Sequence, residues 1–378
     1  MKTSRPLCNR ESGAGEEKQK YEEEMMMDTI RMGVVRGNGI GPEITEATLC
    51  VLEATGLEFD YVPIAIGTDG EEKYGMPLSQ EAVQQLRDVK LAIKAPLLVD
   101  KFKGRLYCEH ADGSTGVYPS LNNAIRRELG LFICPRPIRG VPGISGAYEK
   151  LNVHIMREIT EDVYSGIEHM IGDDDAAECC KLTTRKAATR AARYAFEYAR
   201  RYHHKKVSCV HKANAISMAD GLFLRCFREV AEEYPDIEHD DYMIDATAYL
   251  LAKNPTKFDV IVGSNQYGDV LSDLAAGLVG SLGLAPGINV GPDGLAIAEA
   301  SHGAAPDIAG QQIANPIALI LSAALLLKKI DYLKEAKAIE EATFAVLSEG
   351  RILTPDLGGK AHTMELARAI AERVPAYL

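Results

Sequence analysis

The residues Asn265-Gln266-Tyr267-Gly268-Asp269-Val270-Leu271-Ser272-Asp273-Leu274 open a helical stretch that continues through Leu278. Asp269 and Asp273 are four apart, so a helix stacks their carboxylates on one face, one turn from each other. Two such carboxylates repel unless a cation or a basic residue sits between them. Hard oxygen donors suit Mg²⁺ or Mn²⁺, although acids in a first helical turn also simply complement the helix dipole. A third acid favours the metal reading: Asp245 is polar in the otherwise apolar context Met243-Ile244-Asp245-Ala246-Thr247.

Working outward, an apolar run at 258–263 reads as a buried strand feeding the quoted helix, and the same alternation recurs along the chain. Ile30–Val35 reads as a strand, followed by Gly37-Asn38-Gly39-Ile40-Gly41-Pro42-Glu43 and a helix. That G-x-G-x-G spacing, with Pro42 where a Rossmann helix would present N–H donors, reads as a tight strand-to-helix turn and not as a dinucleotide fingerprint. Arg185–Arg201 carries Ala188, Ala191, Ala192, Ala195, Phe196 and Ala199 at helical spacing, and 206–210 reads as a strand. Ser217 with Asp220 resembles a capping pair ahead of the next helix. His203-His204 beside Lys205-Lys206 reads as a solvated turn. Strands alternating with helices over the whole length mean α/β architecture.

Composition agrees. The 378 residues are 46% hydrophobic and 25% charged, the balance of a folded globular chain of about two domains. A net charge of −12 gives no general attraction for a phosphate backbone, so nucleic acid is excluded as main partner. The longest apolar run, 317–327, is too short for a membrane span and reads as a buried helix. None of the eight cysteines forms a CxxC pair, so we read reduced thiols in a cytoplasmic compartment. Residues 1–28 hold five basic and seven acidic residues, unlike a secretory or transit signal, and read as a disordered leader or a misassigned start.

A further loop, His302-Gly303-Ala304-Ala305-Pro306-Asp307-Ile308-Ala309-Gly310, then Ala314-Asn315-Pro316, offers glycines for close backbone approach and an acid able to accept from a ribose hydroxyl. With the aspartate segments and the arginine and tyrosine motifs below, the chain from about Ile30 onward resembles the β-decarboxylating dehydrogenases, the isocitrate and isopropylmalate dehydrogenase family. The resemblance implies the isocitrate/isopropylmalate dehydrogenase-like fold, two α/β domains flanking a cleft, with no Rossmann fingerprint. Residues 29–131 and 281–378 would form the large cofactor-binding domain, and 132–280 a small domain for substrate and dimer contact.

The resemblance also implies roles, residue by residue. Ser120 and Asn122 (in Ser120-Leu121-Asn122), Arg126, Arg136 and Arg157 would bind substrate, guanidinium forks matching planar carboxylates as lysine cannot. Tyr164 and Lys212 match the catalytic tyrosine and lysine. Asp245, Asp269 and Asp273 would hold Mg²⁺ or Mn²⁺, with Lys212 and Asp245 reaching into the neighbouring subunit's site, so a homodimer or larger homo-oligomer is expected. Glu299 would lie toward the nicotinamide, and His302, Gly303, Ala305, Asp307, Ile308 and Asn315 on the adenosine side. NADP-using relatives have a Lys-Tyr pair where this chain has Asp307-Ile308, and an aspartate there repels a 2′-phosphate, which selects NAD.

Ser-Leu-Asn ahead of the first arginine resembles the isocitrate branch, as do the 220–233 stretch and the Asp245 neighbourhood. The expected reaction is therefore NAD-linked, metal-dependent oxidation and decarboxylation of isocitrate, a small hydroxy acid. The chain departs from the family between Lys94-Ala95-Pro96 and Ser120, where a longer polar segment replaces the usual paired threonines, and Pro119 stands in place of an arginine. The alternatives are the same chemistry on 3-isopropylmalate, homoisocitrate, tartrate or an analogue, or a regulatory isocitrate dehydrogenase subunit.

Overall fold

The fold is seen in a computed structural model that describes residues 29–98, 106–110, 112, 114–144, 146 and 148–378. The leader expected at 1–28 and part of the polar segment at 100–119 lie outside the described residues. The strands are β1 (Ile30–Val35), β2 (Phe59–Pro63), β3 (Leu91–Lys94), β4 (Leu106–Glu109), β5 (Thr115–Tyr118), β6 (Ile133–Arg139), β7 (Asn152–Glu158), β8 (Glu168–Ile171), β9 (Ala176–Cys179), β10 (Lys206–His211), β11 (Glu238–Met243), β12 (Val260–Gly263), β13 (Pro286–Val290) and β14 (Ala296–Ala300). The helices are α1 (Gly41–Glu53), α2 (Thr68–Tyr74), α3 (Gln80–Val89), α4 (Leu121–Glu128), α5 (Arg185–Arg201), α6 (Ala219–Ala231), α7 (Ile244–Lys253), α8 (Asn265–Val279), α9 (Ile317–Lys329), α10 (Leu333–Glu349) and α11 (Thr363–Ala371).

Ten strands form one sheet in the order β11-β10-β12-β7-β6-β13-β14-β3-β1-β2. Its two outer parts are parallel, and β7-β6-β13-β14 in the middle are antiparallel. The strands from 133 to 263 lie on one side of the β6–β13 junction, and those from the first hundred residues and from 286–300 on the other.

Strands buried on both faces read as unbroken apolar runs, and β12 (Val-Ile-Val-Gly) is buried throughout. Helix α9 is apolar on all sides because it is enclosed: residues 317–327 are all buried, with β13 and β14 on one side and α1 and α10 around it. Among the described residues no helix is long and apolar enough to cross a membrane.

Two local expectations are corrected. Ser217 and Asp220 do not cap α6, whose N-terminal residue Met218 makes no side-chain cap. Asp220 is buried instead, and its Oδ2 accepts the Lys212 backbone N–H at 2.6 Å. His204 is not in a solvated turn: its ring is nearly enclosed and its Nδ1 lies 2.6 Å from Asp259.

Candidate active site

Strand periodicity begins the site. Register places Arg136 opposite Ile155 and Arg157 opposite Cys134 on the β6–β7 pair, so both arginines leave the same face of the sheet. Helix α8 lies across that face, and Gly268 is what lets it approach: a Cβ there would sit 2.7 Å from the Arg157 Cβ. The buried Asp162, at φ 73°, fixes the preceding loop by accepting from Lys181 Nζ at 2.7 Å and from the Gln266 N–H at 3.0 Å. Tyr164, two residues on, is thereby aimed at α8.

The expected repulsion between Asp269 and Asp273 is answered by a basic residue. Arg136 Nη1 is 3.2 Å from Asp269 and 3.8 Å from Asp273, and it donates to Ser272 Oγ at 2.6 Å. Arg157 pairs with the same Asp269 oxygen and holds Asn265 Oδ1 through Nε at 3.0 Å and Nη2 at 2.7 Å. Burial, then the neighbouring Arg136 and Arg126, lower the Arg157 pKa. Three crowded guanidiniums, two of them sharing Asp269, make a place for a polyanion. The Asp273 carboxyl is raised by burial and by Asp269, against the pull of Arg136.

On the facing wall, β3 and β14 bring Lys94 beside Glu299. Glu299 takes Lys94 at 3.1 Å and Arg126 at 2.8 Å, all three nearly enclosed. Burial opposes its charge, but Lys94 and then Arg126 outweigh it and hold the carboxyl well below the usual range. Ser120 caps α4 by accepting from the Asn123 N–H at 3.2 Å, and Asn123 ties Tyr164 by donating to its carbonyl at 2.8 Å. Asn122 Oδ1, Arg126 Nε and Arg136 Nε are buried without a partner among the described residues, polar capacity left for a ligand.

These groups line one cavity of 480 Å³: Ser120, Asn122, Arg126, Arg136, Arg157, Tyr164, Asp269, Glu299, His302 and Gly303 all border it, with Asp273 one turn along. A second cavity of 510 Å³ continues past His302 and Gly303, lined also by Ile40, Ala305, Ile308, Asn315 and Asp356. Its far wall is the glycine turn of the first strand: Ile40 N–H donates to Ala304 O at 2.9 Å, and a Cβ on Gly39, at φ 59°, would overlap that carbonyl. The turn thus serves the candidate cofactor cavity without being a dinucleotide fingerprint. Asp307 is exposed beside Ile308 and does not border the cavity.

Lys212 and Asp245 stand apart from this cleft and pair with each other at 2.7 Å. That contact lowers the Asp245 pKa. Among the described residues no three His, Cys, Asp or Glu side chains gather as a metal site within one chain. Asp269 and Asp273, two of the three residues expected as ligands, offer hard carboxylate donors of the right class for Mg²⁺ or Mn²⁺. Sequence reasoning missed Lys94, Asn265, Ser272, Asp162 and Asp356 as parts of the site. Lys94 stood in a recognisable motif, but no signal in the sequence announced its pairing with Glu299.

Comparison with known proteins accords with this geometry. Residues 31–372 match the family described as isocitrate/isopropylmalate dehydrogenase. The catalytic subunit 5 of mitochondrial NAD isocitrate dehydrogenase from Arabidopsis thaliana is 40% identical over 338 residues, 89% of this chain and 87% of that protein. A 3-isopropylmalate dehydrogenase from Archaeoglobus fulgidus is 44% identical over 338 residues, 89% of this chain and 97% of the relative. The crystal structure of isocitrate dehydrogenase from Methylococcus capsulatus superimposes with a TM-score of 0.84 at 42% identity, covering 91% of this chain and 99% of that one. Fold and cleft together define an enzyme of the β-decarboxylating dehydrogenase class. The chain belongs to the isocitrate/isopropylmalate dehydrogenase family.

Proposed function

We propose that the protein oxidises isocitrate with NAD and releases CO₂ to give 2-oxoglutarate, requiring Mg²⁺ or Mn²⁺. The observation that carries this reading is the convergence of Arg126, Arg136 and Arg157, with partnerless polar atoms of Asn122, Arg126 and Arg136, on one cavity bordered by Tyr164 and Asp269. A hydroxy acid with three carboxylates answers three guanidiniums better than one carrying an alkyl group.

In this reading the arginines orient the carboxylates, and Ser120 and Asn122 meet the one that distinguishes isocitrate. Asp269, Asp273 and a neighbouring subunit's Asp245 would hold the divalent cation, which would supply charge stabilisation at the substrate oxygen, and NAD would supply the hydride acceptor for C2. Lys212 of the neighbouring subunit takes the hydroxyl proton as the neutral amine. Loss of CO₂ leaves an enolate, and Tyr164 donates the proton that quenches it at C3. The Tyr164 phenol is suited to this: burial and Asp269 raise its pKa, so it stays protonated at neutral pH. Shared sites make a homodimer the smallest active form. The proposed division into a large domain (29–131 and 281–378) and a small one (132–280) is supported by the change of chain segment where β6 pairs with β13.

A second reading keeps the chemistry and changes the acid. Leu97 and Val163 border the same cavity, and a relative at 44% identity is named for 3-isopropylmalate. A regulatory subunit is the weaker alternative, because Tyr164, Lys212, Asp245, Asp269 and Asp273 are all present. The seven described cysteines are free, which suits the cytoplasm, while the plant, fly and human relatives carry "mitochondrial" in their names. The test is NADH and NADPH formation by the purified protein with Mn²⁺ and isocitrate, 3-isopropylmalate, homoisocitrate or tartrate in parallel. Turnover of isocitrate alone supports the first reading, turnover of another acid the second, and silence with all four the regulatory one.

A further inference from the structure

The strands that carry the substrate arginines have another face. On β6, Arg136 points to the cleft, so period-two alternation sends Pro135, Pro137 and Arg139 to the opposite side. On β7, Arg157 faces the cleft and His154 the back. There, a cavity of 230 Å³ opens between these strands, the C-terminal end of α5, α9 and α10, and a second of 230 Å³ adjoins it, sharing Tyr198, Tyr202, Leu325 and Lys328. One wall comes from 137–204 and the other from 286–344, so the cavity straddles the β6–β13 junction.

Its chemistry is cationic in a chain of net charge −12. Lys328 Nζ lies 4.3 Å from the centre of the Tyr202 ring, and the Arg139 guanidinium 4.6 Å from that of Phe344. Among the described residues neither makes an ion pair with a carboxylate within 4 Å; each rests on an aromatic face, with Glu340 near enough to feel both charges. Among the described residues the acid bordering the first cavity is Glu340, whose carboxyl burial pushes up while Lys328 and Arg139 pull it down. His154 is held neutral, pushed down to about 3 by burial and then by His204 and Lys328. The space is small for a nucleotide or drug-sized ligand and suits a compact ion.

We propose that this back-face cavity binds a compact phosphate or small polycarboxylate between Lys328 and Arg139, and that occupancy regulates the cleft through β6 and β7. The bound anion replaces two cation–ring contacts and bridges α9 to β6. It thereby braces the junction whose other face holds Arg136 and Arg157.

The test uses the full chain labelled at histidine Cε1, followed by NMR during titration with inorganic phosphate and, separately, malonate. His154 and His204 report the back cavity, assigned through His204→Gln, and His302 reports the cleft. Saturable shifts at His154 and His204 are expected, with the midpoint raised at least about tenfold in Arg139→Met/Lys328→Met and restored in Arg139→Lys/Lys328→Arg. The probe giving the lower midpoint identifies which chemistry the site takes. Unchanged His211 and His239 signals of the variant without anion, both outside the cavity, establish that its fold is intact. Shifts confined to His302, or equal midpoints in wild type and double variant, overturn the site. For the regulatory role, saturating anion is expected to change KM for the hydroxy acid partially in the wild type and not in the double variant. Identical, purely competitive inhibition in both overturns that role.

Discussion

Tyr164 and Asp269 share a hydrogen bond across the cleft: the phenol donates to Oδ2 at 3.4 Å while the other carboxylate oxygen takes Arg157. The residue read as proton donor and the residue read as metal ligand are thus adjacent before any ligand enters. The carboxylate is held by charges that an incoming cation and substrate must replace.

Removing the phenol tests that arrangement. Tyr164→Phe is expected to lower kcat by about 10²–10⁴-fold with little change in KM, the usual range for losing a general acid. Because burial and Asp269 raise the Tyr164 pKa, the wild-type rate should hold with rising pH up to and beyond the ordinary tyrosine value of about 10 before this donor is lost. Steady-state kinetics across pH checks both.

Metal binding should be visible without turnover. Mn²⁺ at about 100 times its Kd is expected to stabilise the fold by about 2.7 kcal/mol, and Asp269→Asn should abolish most of that gain. Thermal unfolding with and without Mn²⁺ reads the difference. Equal stabilisation of both proteins would remove Asp269 from the ligand set.

The Lys94–Glu299–Arg126 cluster is a matter of stability as well as binding. Glu299→Gln leaves two nearly enclosed cations without their counter-charge, a loss of about 3–5 kcal/mol. Since the folded-state carboxyl is held low, its contribution is complete above the unfolded value of about 4.3. It is lost as pH falls from there through the depressed folded value. Urea denaturation of wild type and variant over acidic and neutral pH measures this.

Shared active sites predict complementation. Tyr164→Phe and Lys212→Met, each inactive alone, should regain about a quarter of wild-type activity when unfolded and refolded together as a two-fold dimer, because half the dimers then carry one intact site. No recovery on mixing would place Lys212 in its own subunit's site.

Cofactor preference should turn on the exposed Asp307 and the half-buried Ile308 beside it. Asp307→Lys with Ile308→Tyr is expected to move the NAD-to-NADP ratio of kcat/KM toward NADP by at least about tenfold, or 1.4 kcal/mol. Initial rates with both cofactors decide it.

Much of this was legible before any coordinates. The helix Arg185–Arg201 has the bounds its alanine spacing predicts, and the buried fate of 317–327 follows from its apolar run. Arg136 and Arg157 were expected from their motifs to bind substrate, and strand alternation turns both to one face. The Ser217–Asp220 cap was misread because a local pattern competed with a tertiary one: Asp220 satisfies the buried Lys212 N–H instead of the helix end. His204 was misread for the same reason, Asp259 lying 55 residues away.

The sequence by itself determined the α/β alternation, the family, and the residue types the chemistry needs, because periodicity and motif spacing are local and survive in one dimension. Only the tertiary structure decided that Lys94 meets Glu299, that Arg136 sits between two aspartates, and that a cationic cavity lies behind the substrate arginines. Those facts depend on register and on which strands become neighbours. Burial sets them, since charges from distant segments must find one another where water is excluded.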